Sequence, residues 1–392
     1  MIPRTLQPLL TEAARSMPAV AVIGPRQSGK TTLCRAAFPG HAYVSLEPLD
    51  TRDFAISDPR GFLEQYPGPA IIDEAQRAPG LFSYLQEAVD LDPTPGRFIL
   101  TGSEHFGLSQ EISQSLAGRV ALLQLLPLSL EELAAGGRAT EDPWTCLWTG
   151  GYPRIHDREL APDRWLADYT GTYVQRDVRQ VLQVTNLLAF SAFLRLAAGR
   201  TGQELNLSAL GGDAGVSHNT ARSWLSVLEA SFVLFQVPPW IRNRRKRVIK
   251  APKLHFVDSG LVCHLLGIRQ PGELISHPLR GAIFESWVAS EILKWRVHRG
   301  LPAGLFHLRE TRGSEVDLLV ESGPSLLAVE VKSGRTLGSD FLDGLIDLRD
   351  RIQASHQELQ VQPRLIYGGD RAQLRSGVEI VPWNRVHGSA WG

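Results

Sequence analysis

The sequence predicts an α/β protein of several domains that opens with a doubly wound parallel sheet. Three observations predict this. A short apolar strand runs into a glycine loop and a helix near the N-terminus. A helix–turn–helix–strand pattern with a basic run fills the middle. An apolar hairpin carries acidic residues near the C-terminus. The chain has 392 residues, and at about 150 residues per domain two to four domains are expected. Hydrophobic residues are 43% and charged residues 21%, which suits sizeable cores and excludes a largely disordered chain.

Ala19-Val20-Ala21-Val22-Ile23 is short, apolar and β-prone, the pattern of a strand buried on both faces. Gly24-Pro25-Arg26-Gln27-Ser28-Gly29-Lys30-Thr31 follows at once and matches GxxxxGK[ST] at every required position. Thr32 continues a helix that can run to Phe38. Such a loop sets backbone N–H groups and a helix N-terminus around phosphates. Gly24 to Thr32 are therefore the candidate ATP-binding residues. Lys30 would reach the β- and γ-phosphates, and the Thr31 hydroxyl would hold Mg2+.

Pro69-Ala70-Ile71-Ile72-Asp73-Glu74 is a second apolar strand, ending in two carboxylates. After a phosphate loop, Asp73 is placed to bind Mg2+ and Glu74 to polarise the attacking water. The same pair can instead open a helix over 75–90. A third strand, Arg97 to Thr101, leads into Gly102-Ser103. Ser103, with Thr101 as second choice, can touch the γ-phosphate or orient the water; a turn or N-cap serine is the plainer role. Ser115-Leu116-Ala117-Gly118-Arg119 precedes a fourth strand, Val120 to Leu125. Arg119 can act as a finger on a neighbouring subunit's γ-phosphate, or as a surface salt-bridge arginine. No convincing NKxD motif is present, so GTP is the weaker candidate.

Residues 128–200 read as mainly helical, interrupted by the loop Trp148 to Arg154. Arg154 is a candidate lid arginine or a structural surface charge, and Tyr173 to Val178 a charged helix face. Leu205 to Leu210 begins a short helix, Gly211 to Val216 turns, and Ser217-His218-Asn219-Thr220 caps a second helix. Its apolar face includes Ala221, Trp224, Leu225 and Leu228. Phe232 to Val237 reads as a strand, which completes a winged-helix pattern. The candidate wing, Arg242-Asn243-Arg244-Arg245-Lys246-Arg247, has five basic residues in six. Arg242, Arg244, Arg245, Lys246 and Arg247 are the candidate DNA contacts; a solvated loop or a protein-docking wing is the alternative.

A helix over 280–298 carries Glu285, a strand from Glu315 carries Asp317, and a strand from Leu326 carries Glu330 and Lys332. Residues two apart on a strand share a face, so Glu330 and Lys332 point together, with Asp317 on a hairpin partner and Glu285 on a packed helix. Asp317 and Glu330 are candidate metal ligands, and Glu285 and Lys332 complete a candidate catalytic set. An inactive binding domain of the same shape fits the residues too. Strands over 364–368 and 378–382 would close such a domain.

Lys and Arg total 41, Asp and Glu 41, so a basic surface must be local and offset elsewhere. Cys34, Cys146 and Cys263 are isolated, with no CxxC, which argues against a disulfide framework or cysteine zinc site and for a reducing cytoplasm. Neither a signal peptide nor a membrane span is evident.

GPRQSGKTT, IIDEAQ, LTGS, SLAGR, GGYP, YVQRDV, PKLHFVDSGL, FESWV, EVDLL and AVEVK together resemble a prokaryotic family of AAA-type ATPases. Its members end in a restriction-endonuclease-like domain of unknown function. The resemblance implies ATP binding, a central winged helix, a C-terminal nuclease-like fold and, as in AAA+ proteins generally, a ring-forming homo-oligomer. The strand that should end in the Asn common in AAA+ proteins ends in Ser103. ATPase core, lid and winged helix in that order also resemble the bacterial Holliday-junction branch-migration motor. The expected division is an ATPase core over 1–130, a helical lid over 131–200, a winged helix over 201–258 and a nuclease-like domain over 275–392. The expected function is an ATPase that binds and remodels or translocates DNA, branched DNA included. The alternative is a nucleotide-dependent switch in signalling or defence with an inert nuclease-like domain.

Overall fold

The computed structural model describes residues 1–103, 116–173, 186–240, 251–309, 315–338 and 340–392. The first sheet has five parallel strands: β1 Ala19–Ile23, β2 Ala42–Ser45, β3 Ala70–Asp73, β4 Phe98–Gly102 and β5 Val120–Gln124. Their order is β2–β3–β4–β1–β5. Every residue of β1, β3 and β4 is buried, because helices cover both faces of a parallel sheet, and the sequence there reads as unbroken apolar runs. Edge strand β2 exposes Ala42 and Tyr43. It lacks such a run, and the sequence did not announce it. The helix expected over 75–90 is divided into a 3-10 turn, Ala75–Arg77, and an α-helix, Leu81–Leu91. Pro79 and Gly80 lie between them, and proline cannot donate the N–H that a continuous helix requires.

After β5 come the helices Leu130–Ala135, Pro143–Thr149, Pro153–Arg158, Pro162–Tyr173 and Leu187–Ala198. The helices Leu207–Asp213 and His218–Ala230 follow. Ser217 caps the second by accepting the Thr220 N–H, and Ala221, Trp224, Leu225 and Leu228 are buried along its length. Three short antiparallel strands accompany them: β6 Gln203–Glu204, β7 Leu234–Val237 and β8 Lys253–Phe256, in the order β6–β8–β7. Arg242, Arg244, Arg245, Lys246 and Arg247 lie outside the described residues, as do Ser115 and the charged segment after Tyr173.

A mixed six-stranded sheet closes the chain, in the order β13–β14–β12–β11–β10–β9. Its strands are β9 Leu305–Arg309, β10 Glu315–Ser322, β11 Ser325–Lys332, β12 Gln360–Tyr367, β13 Gln373–Arg375 and β14 Val378–Pro382. β10 and β11 form the expected hairpin, with Leu318 opposite Val329. The helix Arg280–Val297 packs against both β8 and β11. One apolar cluster runs from Ala19 in β1 through Trp224 and Phe284 to Trp391. Among the described residues no helix is long and apolar enough to cross a membrane.

Candidate active site

The loop after β1 folds tightly because its residues permit it. Gly24 lies against the Leu125 carbonyl, where a Cβ would collide with the backbone. Gly29 has φ +93°, in the left-handed region that glycine enters without cost. The helix Lys30–Ala37 starts directly after it. Lys30 is buried, and its Nζ donates to the carbonyls of Gly24 at 2.9 Å and Pro25 at 2.8 Å. Burial lowers its ammonium to about 8, against the opposing pull of Glu74 and Asp73. Ser28 Oγ is buried with no hydrogen-bond partner, an orphaned hydroxyl inside the loop that a phosphate oxygen would satisfy.

Asp73 ends β3 with both carboxylate oxygens engaged. Oδ1 accepts the Thr31 hydroxyl at 2.7 Å and the Thr101 hydroxyl; Oδ2 accepts the Tyr43 hydroxyl at 2.9 Å. Burial, reinforced by the Asp73 charge, raises the Tyr43 phenol to about 12. Thr31 and Asp73 thus bring hard oxygen donors together beneath the loop, a donor set that fits Mg2+. Glu74 has φ +56°. Its Oε2 accepts from Gln76 Nε2 at 2.6 Å and from Ser103 Oγ at 3.2 Å, and Gln76 also donates to Ser103 at 3.3 Å. Ser103 therefore holds Glu74, and Thr101 holds Asp73. Tyr43 and Gln76 were not among the sequence candidates; Gln76 ends the IIDEAQ motif, and no motif marks Tyr43.

A cavity of about 550 Å3 opens over this loop, lined by Arg26, Gln27, Lys30, Thr31 and Glu74 below and by Arg154 and Arg158 beyond. Thr32 and Gly29 also line it. Arg119 does not line it. It grips Asp90, on the helix Leu81–Leu91, through Nε at 2.5 Å and Nη2 at 3.0 Å, at the surface.

The fold and this site define a P-loop nucleoside triphosphatase of the AAA class. An AAA-domain profile matches residues 16–134. Two domains of unknown function, DUF8612 and DUF4143, match residues 140–272 and 280–386. The uncharacterized proteins Rv2008c of Mycobacterium tuberculosis and Mb2031c of Mycobacterium bovis are each 31% identical over 347 residues, 87% of this chain and 76% of theirs. The Walker-type ATPase paby2304 of Pyrococcus abyssi is 16% identical, covers 68% of this chain and 96% of its own, and superposes with a TM-score of 0.45. The chain belongs to the family of P-loop AAA-type ATPases that end in DUF4143, and it is a nucleotide-binding ATPase of that class.

The C-terminal candidates are also brought together. Lys332 Nζ donates to Glu330 Oε1 at 2.6 Å, so the two do share a face. Asp317 Oδ2 accepts the Val331 N–H at 2.8 Å. A residue outside the expected set stands among them: Lys253, from β8, donates to Glu285 Oε1 at 2.9 Å and lies 3.7 Å from Asp317 Oδ1. Burial pushes the carboxyls of Glu285, Asp317 and Glu330 up from their ordinary range. Burial pulls the Lys253 ammonium down, but Glu285, Asp317 and Glu315 outweigh it and raise it overall. The expected metal pair, Asp317 and Glu330, lies within this arrangement. Among the described residues no group of three or more His, Cys, Asp or Glu is arranged to hold a metal ion; Lys253 stands on Glu285 and near Asp317, and Lys332 on Glu330.

Proposed function

We propose that the chain binds Mg-ATP at Gly24 to Thr32, hydrolyses it with Glu74, and uses the cycle to remodel or translocate DNA, branched DNA included. The contact that supports the ATPase roles most directly is Thr31 Oγ1 to Asp73 Oδ1 at 2.7 Å, under a loop whose lysine is poised on its own carbonyls. Incoming phosphates offer Lys30 charged acceptors in place of the Gly24 and Pro25 carbonyls, and charge-assisted bonds are the stronger. That exchange also lifts the Lys30 ammonium from its lowered value, because a phosphate favours the charged form. Thr31 and Asp73 would hold Mg2+, which when bound neutralises charge on the phosphates. Glu74, held by Gln76 and Ser103, is the base that draws a proton from water. Arg154 and Arg158 reach the cavity from the helix Pro153–Arg158 and supply positive charge to the nucleotide.

The proposed division keeps an ATPase core over 1–130, a lid over 131–200, a winged helix over 201–258 and a nuclease-like fold over 275–392. The DNA role is supported by the antiparallel pairing of β7 with β8. It makes the sequence between them, which carries Arg242, Arg244, Arg245, Lys246 and Arg247, the connection of two paired strands, where a wing belongs. We place the protein in the cytoplasm, in keeping with its three buried free cysteines, and infer a homo-oligomer, with a ring as its form, in which Arg119 serves the neighbouring site. The second reading, a nucleotide-dependent switch whose C-terminal domain does not cut, is favoured by the lysines that fill the acidic cluster.

ATP turnover measured alone and with duplex, forked and four-way DNA tests the proposal. Turnover stimulated by DNA is expected, most by the branched forms. Slow turnover indifferent to every DNA rejects the motor and leaves the switch.

A further inference from the structure

The motif PKLHFVDSGL has a role that ATP chemistry does not absorb. Its lysine, Lys253, belongs to β8 in the three-stranded sheet, yet its ammonium, 3% exposed, enters the acidic cluster of the C-terminal fold. It donates to Glu285 at 2.9 Å and lies 3.4 Å from Glu315 and 3.7 Å from Asp317. Other acceptors of the cluster have partners as well. Glu330 holds Lys332, Glu315 faces Arg309 Nε at 3.5 Å, and the second Asp317 oxygen holds the Val331 N–H.

We propose that Lys253 is the resident cation of the Glu285, Glu315 and Asp317 cluster, which joins the two sheets and takes no divalent ion while Lys253 is in place. A metal ion entering here would share its oxygens with a like charge a few ångströms away, and at the buried Lys253, Glu285 and Asp317 little water screens the repulsion. The Lys253 backbone is fixed, because β8 is held between β6 and β7, and its side chain is almost wholly buried. It is also pinned to the helix that carries Glu285. Phe256 N–H donates to Ser286 Oγ at 3.2 Å, and Ser290 Oγ donates to the Val257 carbonyl at 2.6 Å. The same two sheets meet again beyond β7. Trp240 N–H donates to the His307 carbonyl at 2.8 Å, and His307 N–H to the Pro238 carbonyl at 3.0 Å. The cluster is thus one end of a continuous seam. It does not depend on the ATPase assignment.

Mn2+ is the probe, its uptake by the full chain without nucleotide read from the loss of the free-ion paramagnetic signal. Wild type and Asp317→Asn are expected to take up the same amount, since any ion held at Thr31 and Asp73 is common to both. Lys253→Met is expected to gain uptake, and Lys253→Met with Asp317→Asn to lose it again. Uptake by wild type that Asp317→Asn abolishes overturns the proposal; a folded Lys253→Met chain with no gain does so too. Where Lys253→Met does not fold, the comparison of wild type with Asp317→Asn decides alone, and Glu285→Gln replaces Asp317→Asn should that chain unfold. ATP binding in the same preparations reports on the P-loop separately.

Discussion

Lys30 and Glu74 sit a few side chains apart yet answer to different parts of the reaction. Lys30 has two loop carbonyls as partners and gains charged ones when phosphate arrives. Lys30→Ala should therefore weaken ATP binding by about 1.5–3 kcal/mol, the worth of a hydrogen bond to a charged group; calorimetry measures it. Glu74→Gln keeps the shape and the contacts from Gln76 and Ser103 but removes the proposed base. Binding should persist while hydrolysis falls roughly 10²–10⁴-fold, and a wild-type rate in that variant would show Glu74 is not the base. The loop, Asp73 and Glu74 were legible because their spacing is tied to phosphate geometry. Tyr43, Gln76 and Lys253 were not, because a tyrosine on an edge strand, a glutamine in a turn and a lysine in a β-strand acquire meaning only from what they touch.

Among elements, the helix Leu81–Leu91 and the turn before β5 carry the Asp90–Arg119 pair. The pair is exposed and screened by water and salt, so it is no obstacle to Arg119 turning toward a neighbouring subunit. Arg119→Ala should bind ATP normally yet hydrolyse about 10³-fold or more slowly. Mixing it with Lys30→Ala chains should restore part of the rate, because each chain supplies what the other lacks. Equal rates in a strictly monomeric preparation and in the assembled protein would end the finger assignment and leave a surface salt bridge. The strands β1, β3 and β4 and the capped helix His218–Ala230 were readable from apolar runs and a capping serine. β2 and the break at Pro79-Gly80 were less so: an edge strand needs only one partner, and the break separates two helical pieces with compatible composition.

Across the whole molecule, the helix Arg280–Val297 and the residue after it tie the C-terminal fold to the ATPase core. Glu291 accepts the Leu130 N–H at 2.7 Å, Lys294 donates to the Leu128 carbonyl at 3.1 Å, and His298 Nε2 accepts the Leu126 N–H at 3.1 Å. Arg4 spans the same place, donating to the carbonyls of Ser28 in the P-loop and Leu126, both at 2.6 Å. Burial lowers His298 from its ordinary 6.5 to about 3. The folded chain therefore keeps His298 neutral in a range where the unfolded chain protonates it, and stability drops as pH falls from 6.5 toward 3. His298→Gln should flatten that acid slope by about 1.4 kcal/mol per pH unit, read from denaturant melts between pH values inside the window. An unchanged slope would show that His298 titrates alike folded and unfolded. Neutralising Arg244, Arg245, Lys246 and Arg247 should reduce the slope of log affinity against log salt on duplex DNA. The reduction should be about 0.9 for each phosphate left without its cation, equally for all sequences. A wild-type salt slope in that variant would remove the wing from the DNA surface.

The phosphate loop, the paired carboxylates, the parallel sheet around them and the acidic hairpin are all specified locally. Each is written in neighbouring residues, where spacing and apolar period act directly on the backbone. Three features of the folded chain have no such local origin: the grip of Ser103 and Gln76 on Glu74, the rest of Arg119 on Asp90, and the entry of Lys253 into the C-terminal acidic cluster. Lys253 meets Glu285 across 32 positions and Asp317 across more. Charge attraction over such separations leaves no local pattern; it takes effect only once packing has brought the two sheets together and removed the water between them.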